Sequence, residues 1–201
     1  MTLVVGLTGS IATGKSTISA MFKEWGFPVV DADLIAREVV KPGEKAYRAI
    51  VDHFGEEVLE ADLTINRKAL GKKVFENEEE RKALNEIIHP EIRRKMLTER
   101  DQYKKQNEAL VVMDIPLLFE SELFDYVDRV LVVYISPELQ KQRLIARDES
   151  TEAEALERIN AQIPVTEKRD RADAIIDNGG TVEDSKQQLK QLLSEWNIYV
   201  T

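Results

Sequence analysis

A chain of 201 residues is long enough for one sizeable core with a lobe inserted into it, and too short for two large independent domains. Hydrophobic residues at 43% and charged residues at 32% exclude a disordered chain, while a formal net charge of −9 argues against a general nucleic-acid binder and leaves only a local basic cleft for anions. With no cysteine, disulfides and thiolate metal sites are excluded. The stretch MTLVVGLTGS lacks the positive region and long apolar run of a secretory signal, and no apolar run approaches membrane-spanning length. A cytoplasmic location, with neither membrane nor nucleic acid as partner, is the expectation.

The first element is the apolar run LVVGLT, Leu3 to Thr8, which opens into a glycine-rich loop and then a helix whose Ile18, Met21, Phe22 and Trp25 recur at helical spacing. A second strand, PVVD, covers Pro28 to Asp31. From about Arg37 to Asn107 the chain turns helical and strongly charged: Pro42-Gly43 marks the entry, Asn66 and Asn77 stand as helix caps, and the run from Asn77 to Lys105 reads as a long helix broken or bent near Pro90. Strands follow at Ala109 to Asp114 and Arg129 to Ile135. A charged helical hairpin spans Pro137 to Arg171, with Ser150 or Thr151 as the cap of its second helix and Glu154 completing a capping box. A fifth strand at Asp173 to Asp177 and an amphipathic helix, TVEDSKQQLKQLLSEW, close the chain. Continuous β-branched runs alternating with helices predict an α/β three-layer fold around a parallel sheet covered on both faces.

The loop Gly9-Ser10-Ile11-Ala12-Thr13-Gly14-Lys15-Ser16 fits G-x-x-x-x-G-K-[ST], and it lies after a strand and before a helix, where its mechanism requires it. Backbone N–H groups turn inward around an anion, and the helix that follows presents unpaired donors and the positive end of its dipole. Lys15 is expected to reach the β- and γ-phosphates, and the Ser16 hydroxyl to ligate magnesium. Ala12 stands where many such loops carry glycine, which predicts a conformation that a small L-residue tolerates.

Nucleotide binding leaves a kinase, a switch GTPase or a motion-coupled ATPase. TEKRD at Thr166 to Asp170 has the wrong spacing for guanine reading, and the inserted lobe and basic hairpin suit an enzyme that closes around a small acceptor. Asp33, just past the second strand, is the candidate base for an attacking hydroxyl, its alternative being the cap of a helix that begins at Leu34. Asp114, closing the third strand, either holds magnesium or satisfies loop N–H groups. Arg143 and Arg147, four apart on one helix face, are spaced to meet a triphosphate, the alternative being pairing with Glu138 or Asp148; Arg158 and Gln162 repeat the spacing with a weaker claim. His89, before Pro90, either lines an acceptor cleft or bonds a freed carbonyl, and His53 has no assigned role.

Together the segments GLTGSIATGKST (Gly6 to Thr17), DADLIAR (Asp31 to Arg37), IIHPEIR (Ile87 to Arg93), IPLLFE (Ile115 to Glu120), QRLIARDESTEAEALERINAQ (Gln142 to Gln162) and ADAIIDNGG (Ala172 to Gly180) resemble the dephospho-coenzyme A kinase family, in the family's order over nearly the whole chain. The resemblance implies a P-loop NTPase fold with a central parallel five-stranded sheet, a nucleotide core at 1–34 and 108–201, an inserted helical acceptor lobe at 35–107 and a helical lid at 137–171. It implies transfer of the ATP γ-phosphoryl group to the ribose 3′-hydroxyl of dephospho-coenzyme A, with Asp33 as base, Lys15, Arg143 and Arg147 as catalytic cations, and magnesium on Ser16 and Asp114. It places ATP on Gly9 through Thr17, with Asn178 and Gly179 near the adenine, where a turn with positive φ is the plainer reading. It places the acceptor near Asp33, Arg37 and His89 and against an apolar wall of Leu117, Leu118 and Phe119, which are equally readable as core. Arg37, Arg93, Arg94 and Lys95 are the candidates for the acceptor's pyrophosphate, Arg37 first. A monomer or weak homo-oligomer is expected. The rivals are another small P-loop kinase, acting on a nucleoside monophosphate or shikimate, and a binding protein that uses ATP as a conformational signal.

Overall fold

A computed structural model describes residues 2–200; the outermost residues of the expected core, 1 and 201, lie outside them. In chain order the elements are β1 Leu3–Gly9, α1 Lys15–Glu24, β2 Val29–Asp31, α2 Ala32–Glu38, α3 Lys45–Phe54, α4 Arg67–Glu76, α5 Glu78–Lys105, β3 Leu110–Asp114, β4 Arg129–Tyr134, α6 Pro137–Asp148, α7 Glu152–Asn160, α8 Val165–Asp170, β5 Ala174–Asp177 and α9 Val182–Glu195. The chain forms two compact units, one made of residues up to Val30 and from Arg100 onward, the other of Asp31–Glu99.

The first unit is built on a five-stranded sheet of order β2-β3-β1-β4-β5. β1 runs parallel to β3 with Leu7 beside Asp114, and parallel to β4 with Gly9 beside Val133; β4 runs parallel to β5 with Tyr134 beside Asp177. That register brings Gly9, Asp114 and Asp177 to the same carboxyl end, where ligands of α/β sheets collect. All five residues of β3 and six of the seven in β1 are buried, as expected of strands covered on both faces. On one face Val5, Leu7, Val112, Leu131 and Val133 pack with Ile18 and Phe22 of α1 and Leu189 and Leu193 of α9. Each such side chain contributes about 1.5–3 kcal/mol when fully buried, so α1 is fixed to the sheet by its apolar stripe. Trp25 packs on the rim of that cluster.

Local chemistry sets the helix starts. Ser136 accepts from Leu139 N–H at 3.3 Å with Pro137 at the first position of α6, and capping boxes open α7 (Thr151 with Glu154) and α9 (Thr181 with Asp184). Two carboxylates that stand just before β4 and β5 bind strand amides: Asp128 accepts from Val4 N–H at 2.8 Å, and Asp173 from Val130 N–H at 2.7 Å.

In the second unit Ile50, Phe54, Val58 and Leu70 form a separate small core, against which Leu84, Ile87 and Ile88 pack. Asn66 caps α4 through Ala69 N–H at 2.8 Å, and Asn77 opens α5 by accepting from Glu79 and Glu80. α5 runs unbroken through Pro90, where the sequence suggested a break or a bend, so the break is excluded. Pro90 removes one N–H from the ladder, but Pro90 and Glu86 are both exposed, so water can take the freed carbonyl.

Candidate active site

The phosphate loop is closed by contacts among its own residues and with the strand beside it. β1 ends at Gly9, where a Cβ would meet Thr13 Oγ1 at 2.6 Å and the Val133 carbonyl at 3.0 Å. Thr13 is fully buried, and both its hydroxyl (2.9 Å) and its N–H (3.2 Å) donate to the Ser10 carbonyl, closing the loop on itself. Gly14, at φ +85°, precedes α1, and no side chain caps that helix; Thr17 N–H turns back to the Gly14 carbonyl at 3.0 Å, so the N–H groups of Lys15 and Ser16 are the donors presented at the helix start. Ala12 has φ +62°, the left-handed region that favours glycine. The expectation of an ordinary L-residue conformation is therefore corrected, and the loop carries about 1 kcal/mol of backbone strain at that position.

Lys15 reaches from α1 to the end of β3 and forms an ion pair with Asp114 Oδ1; their side chains are 19% and 5% exposed. Asp114 is thus the counter-ion of Lys15, a role outside both alternatives weighed from sequence. Ser16 is exposed at the start of α1. Among the described residues no group of three or more acidic or histidine side chains could hold a metal, so protein atoms alone supply no cage. The hydroxyl of Ser16 and the carboxylate of Asp114 are nonetheless hard oxygen donors of the kind magnesium takes alongside phosphate oxygens, and in that sense the residues fit the ion.

Behind the loop stands a set of polar side chains. Asn178, 6% exposed, donates from Nδ2 to the Thr13 carbonyl at 2.8 Å and accepts from Ser185 Oγ at 2.8 Å. Neither Asn178 nor Gly179 has positive φ, which corrects the turn expected there; Gly179 instead donates its N–H to Asp177 Oδ1 at 2.8 Å. Lys168, fully buried, lies 2.7 Å from Glu120 Oε1 and donates to the Gly9 carbonyl at 3.2 Å. Gln140, 1% exposed, and Gln162 both bind the backbone of Ile11, the first at its carbonyl and the second at its N–H. Sequence reasoning missed Lys168, Glu120 and Gln140. The one usable signal was Lys168 standing three residues after Val165, on the only face that short α8 buries.

The two candidate arginines of α6 part company. Arg147 pairs with its neighbour Asp148 through Nε at 2.8 Å and Nη2 at 3.1 Å, and Arg158 pairs with the same carboxylate. The bonds from Arg147 and then Arg158 hold the Asp148 carboxyl at about 2. Arg147 thus takes the pairing alternative here, whereas Arg143 is half-buried with no ion-pair partner among the described residues. In the IPLLFE segment, Leu118 and Phe119 are 0% and 2% exposed and belong to the core, Phe119 packing edge-on to Phe124 with ring centroids 5.2 Å apart. The apolar wall expected there shrinks to Leu117, 44% exposed.

The remaining predicted residues lie in the second unit. Asp31 is the N-cap of α2, accepting from Leu34 N–H at 3.0 Å, so the helix starts at Ala32 and Asp33 is not its cap. Asp33 is exposed in the first turn, where the helix dipole favours a carboxylate, and Arg37 is exposed one turn later. His89 and Arg93 line an open cavity of about 490 Å³ along α5, with Arg81 and Lys82 beside them. Arg94 pairs with Glu91 and Lys95 with Glu38, whereas His53, exposed, pairs with Glu80.

The model of the dephospho-CoA kinase family (CoaE) matches residues 3–184. The chain is 54% identical to the dephospho-CoA kinase of Oceanobacillus iheyensis over 198 residues, covering 98% of this chain and all of that protein. It is 54% identical to the dephospho-CoA kinase of Geobacillus kaustophilus over 197 residues, 98% of either chain. Its fold is similar to the solved structure of dephospho-CoA kinase from Campylobacter jejuni, with TM-score 0.77, 34% identity and 98% of each chain covered.

Proposed function

The chain belongs to the dephospho-CoA kinase family and is an ATP-dependent kinase, and we propose that it moves the ATP γ-phosphoryl group to the ribose 3′-hydroxyl of dephospho-CoA, with Asp33 taking the hydroxyl's proton. The observation that carries this reading is the glycine loop closed on Thr13, followed by an uncapped helix whose first residue, Lys15, is already paired with a strand-end carboxylate. Such a loop offers amides and one ammonium to a triphosphate. When phosphates arrive, Lys15 exchanges Asp114 for the β- and γ-phosphate oxygens, which frees the Asp114 carboxylate.

Phosphoryl transfer needs little covalent help from protein; it needs alignment and neutralisation of charge on the moving group. Lys15 and Arg143 supply that charge, and Arg147 joins them by leaving Asp148. Ser16 and Asp114 are the oxygens that hold magnesium, which when bound neutralises the phosphates and orients them. Of the loop, the N–H groups of Gly14, Lys15 and Ser16 and the hydroxyl of Thr17, whose N–H is engaged by the Gly14 carbonyl, are the natural phosphate donors, while Thr13 acts as internal support. Beside the adenine, the N–H groups of Asn178 and Gly179 are both engaged, with the Tyr134 carbonyl and Asp177 Oδ1, so their carbonyls are the backbone candidates. Asp33, exposed in the first turn of α2, accepts the proton as the oxygen–phosphorus bond forms.

For the acceptor, Arg93 with His89 is better placed to bind pyrophosphate than Arg94 or Lys95, whose charges are already matched, and Arg37 stays a candidate beside Asp33. The division into a nucleotide core at 1–34 and 108–201, an acceptor lobe at 35–107 and a lid at 137–171 follows from these roles. The enzyme works in the cytoplasm as a monomer or weak homo-oligomer; among the described residues no helix is long and apolar enough to cross a membrane.

The test is an acceptor panel: purified protein, ATP, magnesium, and dephospho-CoA, shikimate or nucleoside monophosphates, with ADP release and the phosphorylated product measured. Dephospho-CoA should be turned over far faster than the others, with the new phosphate on the 3′-oxygen. A faster rival acceptor, or a phosphate on another oxygen, overturns the reading.

A further inference from the structure

Both legs of the α6–α7 hairpin are fastened to the backbone of one residue of the phosphate loop, Ile11, one on each of its two peptide groups. Ile11 N–H donates to Gln162 Oε1 at 2.9 Å, and the Ile11 carbonyl accepts from Gln140 Nε2 at 2.9 Å. Gln140 lies in α6 one turn before Arg143, on the same face, and Gln162 lies two residues beyond the end of α7. The backbone dictates both amide orientations, since the opposite flip would set like group against like. Next to this clamp, Ser10 Oγ stands 3.5 Å from the Ile163 carbonyl, and Ile163 N–H donates to Glu120 at 3.1 Å. Gln140 is almost fully buried, so its amide must be matched, and the Ile11 carbonyl matches it.

We propose that Gln140 and Gln162 are positioning residues for the transfer: by gripping the backbone N–H and C=O of Ile11 they lock the hairpin to the loop, so that Arg143 meets the phosphates that the loop holds. The proposal rests on the reading that Arg143 serves the triphosphate. It follows that the Ile11 N–H, already engaged, is no part of the phosphate cradle. Losing the clamp should therefore misplace Arg143 and slow the chemical step while leaving ATP capture largely intact.

The two glutamines make opposite demands, and that separates positioning from packing. Gln162 serves as an acceptor, a role glutamate keeps and leucine loses; Gln140 serves as a donor, a role methionine loses at similar volume. Gln162→Leu and Gln140→Met should each lower kcat about tenfold, with KM for ATP moved less than about threefold, and Gln162→Glu should recover most of what Gln162→Leu loses. The double variant Gln140→Met/Gln162→Leu should be no slower than about twofold below the worse single one, because both act through the backbone of one residue, Ile11. Unchanged melting temperatures show that the variants fold; should Gln140→Met unfold, the Gln162→Leu and Gln162→Glu pair decides alone. Normal kcat in Gln162→Leu, or equal rates in Gln162→Leu and Gln162→Glu, overturns the proposal. Arg143→Ala, measured in parallel, tells the two failures apart: if it slows turnover while Gln162→Leu does not, the clamp is wrong and the lid reading stands, and if Arg143→Ala is itself normal, the lid reading has failed.

Discussion

Asn178 reaches across the sheet's carboxyl end to donate to the Thr13 carbonyl, and its amide nitrogen sits 2.1 Å from where a Cβ on Gly14 would be. Two glycine requirements thus coincide at one residue, a positive φ and a close approach. Gly14→Ala should destabilise the protein by about 1–3 kcal/mol and weaken ATP binding, because either the backbone or the Asn178 amide must give way. Thermal melting and nucleotide titration check this. A variant with native affinity and stability would show that the contact is slack.

Lys15 and Asp114 form a pair that the nucleotide is expected to break. Lys15→Ala should abolish useful turnover and also lower stability by about 3 kcal/mol, since Asp114 is left nearly buried without its counter-ion. Adding Asp114→Ala should recover part of the melting temperature and none of the activity. If the double variant melts no higher than Lys15→Ala alone, the stability role given to the pair is wrong.

Asp33 is exposed, is not a helix cap and makes no hydrogen bond among the described residues. Asp33→Asn should accordingly leave the melting temperature unchanged and ATP binding intact while cutting kcat by about a hundredfold or more. Stopped turnover with intact nucleotide binding is the outcome expected of a base. Turnover near the native rate would remove Asp33 from the chemistry.

Asp148 carries a pH signature. Its folded-state carboxyl is lowered from 3.8 to about 2 by Arg147 and then Arg158, so its contribution is fully present above the unfolded value of 3.8 and is lost as pH falls toward about 2. The group is open to solvent, so salt should weaken the effect. Melting curves of native protein and Asp148→Asn should therefore converge as pH falls through that window. A gap independent of pH would mean that the two arginines are not what holds Asp148.

Lys168 and Glu120 are the buried ion pair beneath the loop, and Glu120 Oε2 has no hydrogen-bond partner. Lys168→Met should cost about 3–5 kcal/mol by stranding Glu120, and Lys168→Met/Glu120→Leu should cost less than the single change. Chemical denaturation measures both. Equal losses in the two variants would mean that the charge on Glu120 is already satisfied by other groups.

The five strands, the helices at 182–195 and 15–24, the caps at Asn66, Asn77 and Thr151, and the glycine loop between strand and helix were all legible in the sequence. Each depends on a period or a cap that neighbouring residues dictate among themselves. Choosing between Asp31 and Asp33 as cap was harder, because both types suit the position and only the point where β2 releases the chain decides. The left-handed Ala12 was illegible for a related reason: the residue type argues against that conformation, and the loop's own closure through Thr13 imposes it.

Only the tertiary structure decided what the charged and amide side chains do. Lys15 meets Asp114 across 99 positions of sequence, Gln162 meets Ile11 across 151, and Lys168 meets Gly9 across 159. No local pattern marks such partners, since a lysine or glutamine at helical spacing looks the same whether it faces water or the back of a phosphate loop. The crossover of β1 between β3 and β4 brings those positions together, and burial then requires that each donor find an acceptor there.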